Sequence, residues 1–222
     1  MGRGLFITGT DTDVGKTYVT ALLVKTLRSA GYDVGYYKAA ISGARTVEES
    51  DAGFVNRFAQ ICEPEDMLLS YLYQNAVSPH LAARIEGNPV EKDVIMSAWE
   101  RVTAAYPYVT MEGSGGIMCP IRHDEKAVYY LEDIIRWLRL PVLVIADAGL
   151  GTINRVVTTC EYIRYRNISV KGIILNHWKG GVMEEDNVEM IEEIIGMKVL
   201  ARVKKGDTAL DIDPETIISL YE

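Results

Sequence analysis

A glycine-rich segment near the amino terminus constrains the fold of this 222-residue chain more than any other feature. Gly9–Thr17 reads Gly-Thr-Asp-Thr-Asp-Val-Gly-Lys-Thr; it follows the apolar run Leu5–Thr8 and leads into a helical pattern over Lys16–Ala30. Strand, loop and helix in this order are typical of a phosphate-binding loop, in which backbone N–H groups and the helix N-terminus surround phosphates. The lysine adds charge at the terminal phosphates, and the threonine hydroxyl is a ligand for Mg²⁺. The segment therefore predicts a nucleoside triphosphate site.

The spacing of this loop departs by one residue from the common pattern. Five positions rather than four separate Gly9 from Gly15, and Thr10 stands where a glycine is usual. The alternative interpretation is a glycine-containing turn with an exposed lysine. Because Gly15-Lys16-Thr17 lies at the predicted helix start, we favour nucleotide binding.

Short apolar runs alternate with helical patterns along the rest of the chain. Further strands are predicted at Val34–Tyr37, Tyr108–Met111, Val142–Ile145, Val170–Leu175 and Lys198–Val203. Further helices are predicted at Asp51–Gln60, Glu91–Ala105, Leu131–Leu140, Thr152–Arg166, Met183–Ile195 and Pro214–Leu220. This alternation predicts crossover connections, and therefore an α/β fold with a mostly parallel β-sheet flanked by helices. We expect a single domain over residues 1–222, with irregular segments at Ala39–Ser50 and Gly113–Gly116, where open α/β sheets bind ligands.

Composition excludes several classes of partner. With 23 basic and 31 acidic residues the net charge is −8, so no diffuse basic face is available for nucleic acid or anionic lipid. The longest mostly apolar stretch, Leu140–Gly151, contains Asp147 and is shorter than the roughly 20 residues of a membrane span. The three cysteines (Cys62, Cys119 and Cys160) form no Cys-x-x-Cys pair, and the three histidines lack metal-ligand spacing. We therefore expect a cytoplasmic protein without a membrane partner or a transition metal.

Two carboxylates are candidate Mg²⁺ ligands beside Thr17. Glu112 follows the predicted strand Tyr108–Met111 and precedes Gly113–Gly116, which places it at the carboxyl edge of the sheet. Asp51 opens a predicted helix, where capping by an acidic residue is an equally good explanation. A surface glutamate before a flexible turn is the alternative for Glu112.

Three further side chains are predicted at the same edge. Lys38 ends the second predicted strand, and a lysine there can neutralise charge that develops during phosphoryl transfer, although such lysines are commonly just solvated. Ser42 either binds substrate or is an ordinary loop serine. Asn176 follows the strand Val170–Leu175, and its amide can either read a purine edge or close an Asx turn. For Ser78-Pro79-His80 we favour helix capping over a role in a substrate pocket.

Together these segments resemble the dethiobiotin synthetases of biotin biosynthesis over essentially the whole chain. The matching segments are Gly9–Thr17 with its extra residue, Tyr37-Lys38, Ser42-Gly43, Ser50–Ala52, Ser78–His80, Glu112–Gly116, Leu150–Asn154 and Asn176, all in family order. The resemblance implies a P-loop NTPase-like three-layer α/β/α fold and a homodimer with active sites at the subunit interface. It also implies an ATP-dependent ligase that makes dethiobiotin from 7,8-diaminononanoate, CO₂ and MgATP.

The resemblance also assigns roles to individual residues. ATP would be held by Asp13, Val14, Gly15, Lys16, Thr17, Tyr18, Asp51, Glu112, Gly115 and Asn176, of which Asn176 reads the adenine. Mg²⁺ would be bound by Thr17, Asp51 and Glu112, and Lys38 and Lys16 would be catalytic. The diamine would contact Thr12 and Ser42, and its carboxylate would contact Gly151, Thr152, Ile153 and Asn154 of the neighbouring subunit. Unpaired backbone N–H groups, including that of Thr152, are expected at this helix start, although an ordinary start capped by Thr152 is equally compatible with the sequence.

Two departures and two rival functions accompany this resemblance. Proline is usual after Lys38 in the family, so Ala39 predicts a less rigid loop. Val203–Gly206 stands where the family commonly has Ile-Pro before a stretch that contacts the nucleotide, so base contacts from Lys204–Gly206 are not implied. An amidating synthetase of cobalamin biosynthesis would need a glutaminase domain, for which we expect no room. A partitioning-type ATPase switch would carry a second lysine early in the loop, where this chain has Thr10–Thr12.

Overall fold

The computed structural model describes residues 2–222 and contains one parallel sheet of seven strands, in the order β3-β2-β4-β1-β7-β8-β9. Its strands are β1 (Arg3–Gly9), β2 (Val34–Ser42), β3 (Leu69–Tyr73), β4 (Tyr108–Gly116), β7 (Val142–Asp147), β8 (Val170–Asn176) and β9 (Val199–Arg202). A separate antiparallel hairpin pairs β5 (Pro120–His123) with β6 (Val128–Tyr130). The sheet order places β1, which carries the phosphate loop, at the centre between β4 and β7.

Helices connect the strands and cover both faces of the sheet. They are α1 (Lys16–Ser29), α2 (Asp51–Phe58), α3 (Glu65–Leu68), α4 (Pro79–Ile85), α5 (Lys92–Ala105), α6 (Leu131–Leu138), α7 (Thr152–Tyr165), α8 (Val182–Ile195) and α9 (Pro214–Ile218). Among residues 2–222, no helix combines the length and apolar character needed to cross a bilayer.

Two apolar cores lie on opposite faces of the sheet. One contains α1, α2 and α9, and the other contains α4 to α8. In α1 the buried residues Val19, Leu22, Leu23 and Leu27 follow the three-to-four residue spacing of one helix face, which explains why this segment is helical. Successive residues of β2 point into opposite cores: Tyr36 lies in the core with α1, and Tyr37 lies in the other core.

Two strands extend further than their apolar runs predict. β2 continues through Ala39 to Ser42 because the short strand β3 pairs with it from Lys38 to Ser42. The expectations that Lys38 ends its strand and that a less rigid loop starts at Ala39 are therefore wrong, and Ala39 is buried in the sheet. The prediction of an irregular Gly113–Gly116 is wrong as well, since β4 continues to Gly116, which pairs with Gly9.

The remaining differences concern short elements. The apolar patterns did not predict β3, the hairpin β5-β6 or the single-turn helix α3, and α4 was expected only as the helix that Ser78–His80 precedes. All seven predicted helices and all six predicted strands are present, with ends within a few residues except for β2 and β4. Long buried elements are therefore the ones that local sequence patterns predict best.

Candidate active site

The carboxyl ends of β1, β2 and β4 surround a cavity of about 640 Å³, within the roughly 300–1,000 Å³ typical of ligand pockets. It brings together ten of the predicted site residues: Thr12, Asp13, Gly15, Lys16, Thr17, Lys38, Ser42, Asp51, Glu112 and Gly115. Strand register explains part of this convergence. Glu112 of β4 lies opposite Ile7 of β1 and opposite Lys38 of β2, so its side chain stands between the phosphate loop and the second lysine.

The phosphate loop has a backbone that only a few residue types tolerate. Gly15 has φ +80°, and a Cβ atom there would stand 2.1 Å from Asn176 Nδ2. Asn176 is almost fully buried, and its Nδ2 donates to the carbonyl of Val14 at 2.9 Å. The amide of Asn176 therefore supports the loop from below, and only glycine at position 15 permits this approach.

The N-terminus of α1 faces the cavity without a side-chain cap. Gly15 occupies the N-cap position and, within residues 2–222, no side chain accepts from the first turn of this helix. The first N–H groups of a helix lack intrahelical partners, and with the helix dipole they attract anions. The backbone at Lys16, Thr17 and Tyr18 is therefore suited to phosphate, although the Tyr18 hydroxyl itself donates to the carbonyl of Asp207, outside the cavity.

Two carboxylates share one buried lysine. Lys38 Nζ donates to Asp51 Oδ2 at 2.6 Å and to Glu112 Oε1 at 2.7 Å. Thr17 Oγ1 also donates to Glu112 Oε1, at 2.8 Å, and the Tyr36 hydroxyl donates to Glu112 Oε2 at 3.1 Å. These contacts join the end of the phosphate loop, β2, β4 and the start of α2 in one charged cluster.

The charges of this cluster are set by burial and by one another. Burial opposes the charge on Lys38, but Glu112 and Asp51 outweigh it and raise the pKa of Lys38 above the ordinary lysine value. Burial would raise the pKa of Asp51, yet Lys38 lowers it overall. Burial, assisted by the charge of Lys38, lowers the pKa of Lys16, whose Nζ donates to the carbonyl of Asp11 at 2.9 Å. The cluster thus presents two ammonium groups and two carboxylates to the cavity.

The donor set around Lys38 has the chemistry of a magnesium site. The hydroxyl of Thr17 contacts Glu112, and Lys38 Nζ contacts both Glu112 and Asp51. One hydroxyl oxygen and two carboxylates therefore lie close together. Mg²⁺ prefers oxygen ligands and is commonly bound by one or two carboxylates together with phosphates and water. Among residues 2–222 no group of three or more His, Cys, Asp or Glu side chains could hold a metal by itself. The residues therefore fit an ion that the nucleotide helps to bind.

The segment Gly151–Asn154 lies outside this cavity. Gly151, at φ +86°, precedes α7, and the buried Thr152 donates its N–H to the carbonyl of Gly149 at 3.2 Å. The expectation of an unpaired N–H at Thr152 is therefore wrong. In the described chain the N–H groups of Ile153 and Asn154 donate to no group outside the helix, and these two are the free donors at this helix start.

The cavity also contains residues that the sequence did not assign to the site. They are Ile41, Ala76, Val77, Ser114 and Cys119, together with Ser78 and Pro79, for which capping was favoured. Ser78 does occupy the N-cap position of α4, but its hydroxyl makes no cap hydrogen bond and pairs with His80 Nδ1 at 3.0 Å. The prediction that Ser78 stands at the N-cap is therefore confirmed, but its side chain does not cap the helix. Ser78-Pro79 before a helical pattern is the sequence feature that could have predicted this part of the cavity lining.

Comparison with known sequences adds independent information. The family model described as an AAA domain matches residues 3–209. The chain is similar to a protein of Brachyspira hyodysenteriae named ATP-dependent dethiobiotin synthetase BioD, with 47% identity over 223 residues, 100% of both chains. A protein of the same name from Clostridium kluyveri is 41% identical over 221 residues, which cover 98% of this chain and 92% of the relative.

Solved structures share the fold at much lower identity. The septum site-determining protein MinD of Pyrococcus horikoshii, complexed with Mg-ADP, has a TM-score of 0.57 and 14% identity, covering 99% of this chain and 86% of that one. A ParA family ATPase of Chlorobium tepidum has a TM-score of 0.53 and 14% identity, covering 98% and 88%. Likeness at this identity shows the fold alone, and it confirms the predicted P-loop NTPase-like α/β/α class.

Proposed function

This chain belongs to the ATP-dependent dethiobiotin synthetase family, and we propose that it converts 7,8-diaminononanoate, CO₂ and ATP into dethiobiotin, ADP and phosphate. The observation that carries this proposal is the cluster of Lys16, Lys38, Asp51 and Glu112 at the end of the phosphate loop, inside a cavity of about 640 Å³. Such a cluster suits a reaction in which negative charge collects between two reacting groups. We take residues 1–222 as one catalytic domain, working in the cytoplasm.

The phosphates of ATP bind the backbone from Asp13 to Tyr18 in this proposal. The uncapped start of α1 supports this assignment, as does the anion preference of such helix ends. Lys16 exchanges its contact with the Asp11 carbonyl for the terminal phosphates. Gly115, also at the cavity, allows close approach of the nucleotide.

Asn176 is assigned to the adenine. Its Nδ2 donates one hydrogen bond to Val14, and its Oδ1 accepts from no donor in the described chain, so this oxygen is available to the base. A carbonyl oxygen there suits the exocyclic amino group of adenine. The amide then has two tasks, supporting the loop and accepting from the base.

Thr17, Asp51 and Glu112 would hold Mg²⁺, which supplies charge neutralisation at the β- and γ-phosphates when bound. These side chains already converge on one point through Lys38 and Thr17. Lys38 stays charged beside them, because its carboxylate partners raise its pKa. The lysine is therefore available to stabilise the reacting carbamate and γ-phosphate.

The reaction proceeds without a protein nucleophile. One amine of the diamine attacks CO₂, forms a C–N bond and loses a proton, which gives a carbamate. A carbamate oxygen then attacks the γ-phosphorus, and the bond to the ADP oxygen breaks. The second amine attacks the carbonyl carbon and loses a proton while phosphate leaves, which closes the ureido ring. Lys16 and Lys38 act by positioning and by electrostatic stabilisation of the charge that these steps collect.

The diamine is placed beside Thr12 and Ser42, which both lie at the cavity. Its carboxylate is assigned to Gly151, Thr152, Ile153 and Asn154 of a second copy of the chain, in a homodimer. Two facts support this part: the segment does not line the cavity of its own chain, and Leu150 beside it is 84% exposed. The free N–H groups of Ile153 and Asn154 suit a carboxylate at a helix start.

The test is whether ADP release depends on the diamine. Release should require Mg²⁺, bicarbonate or CO₂, and 7,8-diaminononanoate together, because the carbamate is the phosphoryl acceptor. Omission of each component in turn is the control series. Rapid ATP hydrolysis at the same rate without the diamine would contradict the proposal and favour a switch ATPase.

A further inference from the structure

The two oxygens of Glu112 have different partners. Oε1 receives two hydrogen bonds, from Lys38 and Thr17, at 2.7 and 2.8 Å, whereas Oε2 receives one, from the Tyr36 hydroxyl, at 3.1 Å. The Glu112 side chain is fully buried. Among the described residues, Tyr36 is therefore the only hydrogen-bond donor to Oε2, and without it this buried oxygen would have no partner.

The strand geometry places Tyr36 and Lys38 on either side of this carboxylate. They are alternate residues of β2 and share one face of the sheet. Glu112 of β4 lies opposite Lys38, and Thr110 lies opposite Tyr36. Tyr36 is thus held one strand repeat below the cavity, where it reaches Glu112 from the core.

Tyr36 also differs from the other two donors in its surroundings. Lys38 and Thr17 line the cavity, so both can change partners when a nucleotide and a metal arrive. Tyr36 is fully buried in the core under α1, and its backbone N–H donates to Glu63 Oε1 at 3.3 Å. Its contact with Oε2 therefore persists while the partners of Oε1 rearrange.

We propose that Tyr36 is a positioning residue that fixes the carboxylate plane of Glu112, so that Oε1 faces Thr17 and the Mg²⁺ that binds there. This inference rests on the proposed metal role of Glu112. Without the Tyr36 hydroxyl the carboxylate turns about its last bond to satisfy Oε2, and its alignment with Thr17 is lost. Partners of this kind typically contribute a factor of 10 to 100 in metal affinity.

The adjacent residue provides a matched control. Tyr37 is also fully buried, and its hydroxyl pairs with Ser70 Oγ at 2.6 Å on the opposite face of the sheet. Tyr36→Phe and Tyr37→Phe each delete one buried hydroxyl and its hydrogen bond. Both variants should lose stability for this reason, but only Tyr36→Phe touches the metal-binding carboxylate.

The experiment is calorimetric titration of ADP into wild-type protein and both variants, with Mg²⁺ and with EDTA. The dissociation constant for ADP in EDTA divided by that in Mg²⁺ measures how strongly the metal supports nucleotide binding. Tyr36→Phe should reduce this ratio by roughly 10-fold or more, while its metal-free ADP affinity stays unchanged. Tyr37→Phe should keep the wild-type ratio. Equal ratios in all three proteins would overturn the inference.

A second measurement covers the case in which Tyr36→Phe does not fold. Site-specific 3-fluorotyrosine at position 36 keeps the ring and the hydroxyl, and its ¹⁹F resonance reports the contact with Oε2. The contact itself persists, but Mg²⁺ at Oε1 would draw charge from the carboxylate that Tyr36 touches, so the resonance should shift when Mg²⁺ is added to the ADP complex. An unmoved resonance would overturn the inference. Neither readout uses the diamine, so failure of the proposed reaction would be seen separately, as ADP release that does not depend on the diamine.

Discussion

Replacement of Lys38 by methionine separates a transition-state role of this lysine from simple nucleotide binding. The Lys38 side chain is 4% exposed and bridges Asp51 and Glu112 at 2.6 and 2.7 Å. Methionine keeps the apolar length of the side chain and removes only the ammonium group. The formal charge of the four-residue cluster with Lys16 then falls from zero to −1, so charge that develops on the γ-phosphate meets repulsion.

The magnitude follows from the contacts. Loss of one preorganised electrostatic group in an active site costs about 2.7–4 kcal/mol, so kcat should fall by roughly 10²- to 10³-fold. Removing one partner of a buried ion pair costs about 3–5 kcal/mol of stability, and the lower end applies because the Asp51 side chain is 48% exposed. At this chain length about 3 kcal/mol corresponds to a decrease in Tm of roughly 6–12 °C.

The assay is steady-state ADP release with saturating diamine and bicarbonate, combined with thermal unfolding. The expected result is a low kcat with a KM for ATP close to that of the wild type. Lys171→Met is the control, since Lys171 forms a surface pair with Glu222 and should change neither parameter. A raised KM for ATP with unchanged kcat would refute the reasoning, because Lys38 would then be a ground-state nucleotide ligand.

Three further predictions follow from individual contacts. Gly15→Ala should abolish detectable ADP binding in calorimetry, because its Cβ would stand 2.1 Å from Asn176 Nδ2, and wild-type affinity in this variant would contradict the loop geometry. Burial raises the pKa of Glu63 from 4.5 to about 8 in the folded protein. The unfolded chain therefore releases this proton at a lower pH than the folded protein does, and the free energy of unfolding falls as the pH rises from 4.5 towards 8. Glu63→Gln should therefore match the wild type in urea unfolding at about pH 4 and exceed it by a few kcal/mol at about pH 8.5. A difference that stays constant with pH would contradict the shifted pKa. If the protein is diluted until it is a folded monomer, it should no longer bind the diamine but should still bind MgATP. A monomer that binds the diamine at full strength would refute a diamine pocket shared between two subunits.

Local pattern predicted those parts of the fold in which burial is uniform. β7 and β8 contain the apolar runs Val142–Ala146 and Ile173–Leu175, which are buried on both faces of the sheet, so composition alone identifies these strands. The phosphate loop was predictable because Gly15-Lys16-Thr17 lies between an apolar strand and an amphipathic helix. In these segments the sequence signal and the tertiary environment agree.

The ends of β2 and β4 depended on neighbouring strands instead. Ala39–Ser42 and Gly113–Gly116 contain residues that suggest a loop, and they are extended because β3 and Gly9 pair with them. The sequence placed Lys38 and Glu112 at the same edge of the sheet, but their contact requires the register that puts them opposite each other. Register between distant strands depends on packing that no local pattern contains.

The role of Asn176 shows the same limit at the level of one side chain. Asn176 follows the apolar run Val170–Leu175, and either a purine contact or an Asx turn is compatible with the sequence. Its hydrogen bond to the Val14 carbonyl at 2.9 Å depends on how closely Gly15 approaches β8. That approach is a tertiary distance, so spacing along the chain could not reveal it.

The most direct test of the proposed reaction is to follow the carbon of CO₂ into the product. The protein is incubated with ATP, Mg²⁺, 7,8-diaminononanoate and ¹³C-bicarbonate, and the products are analysed by mass spectrometry while ADP is quantified. One ¹³C atom should enter each dethiobiotin molecule, and one ADP should form for each labelled product, because the carbamate is the acceptor of the γ-phosphate. Formation of ADP without labelled dethiobiotin would contradict the proposed reaction.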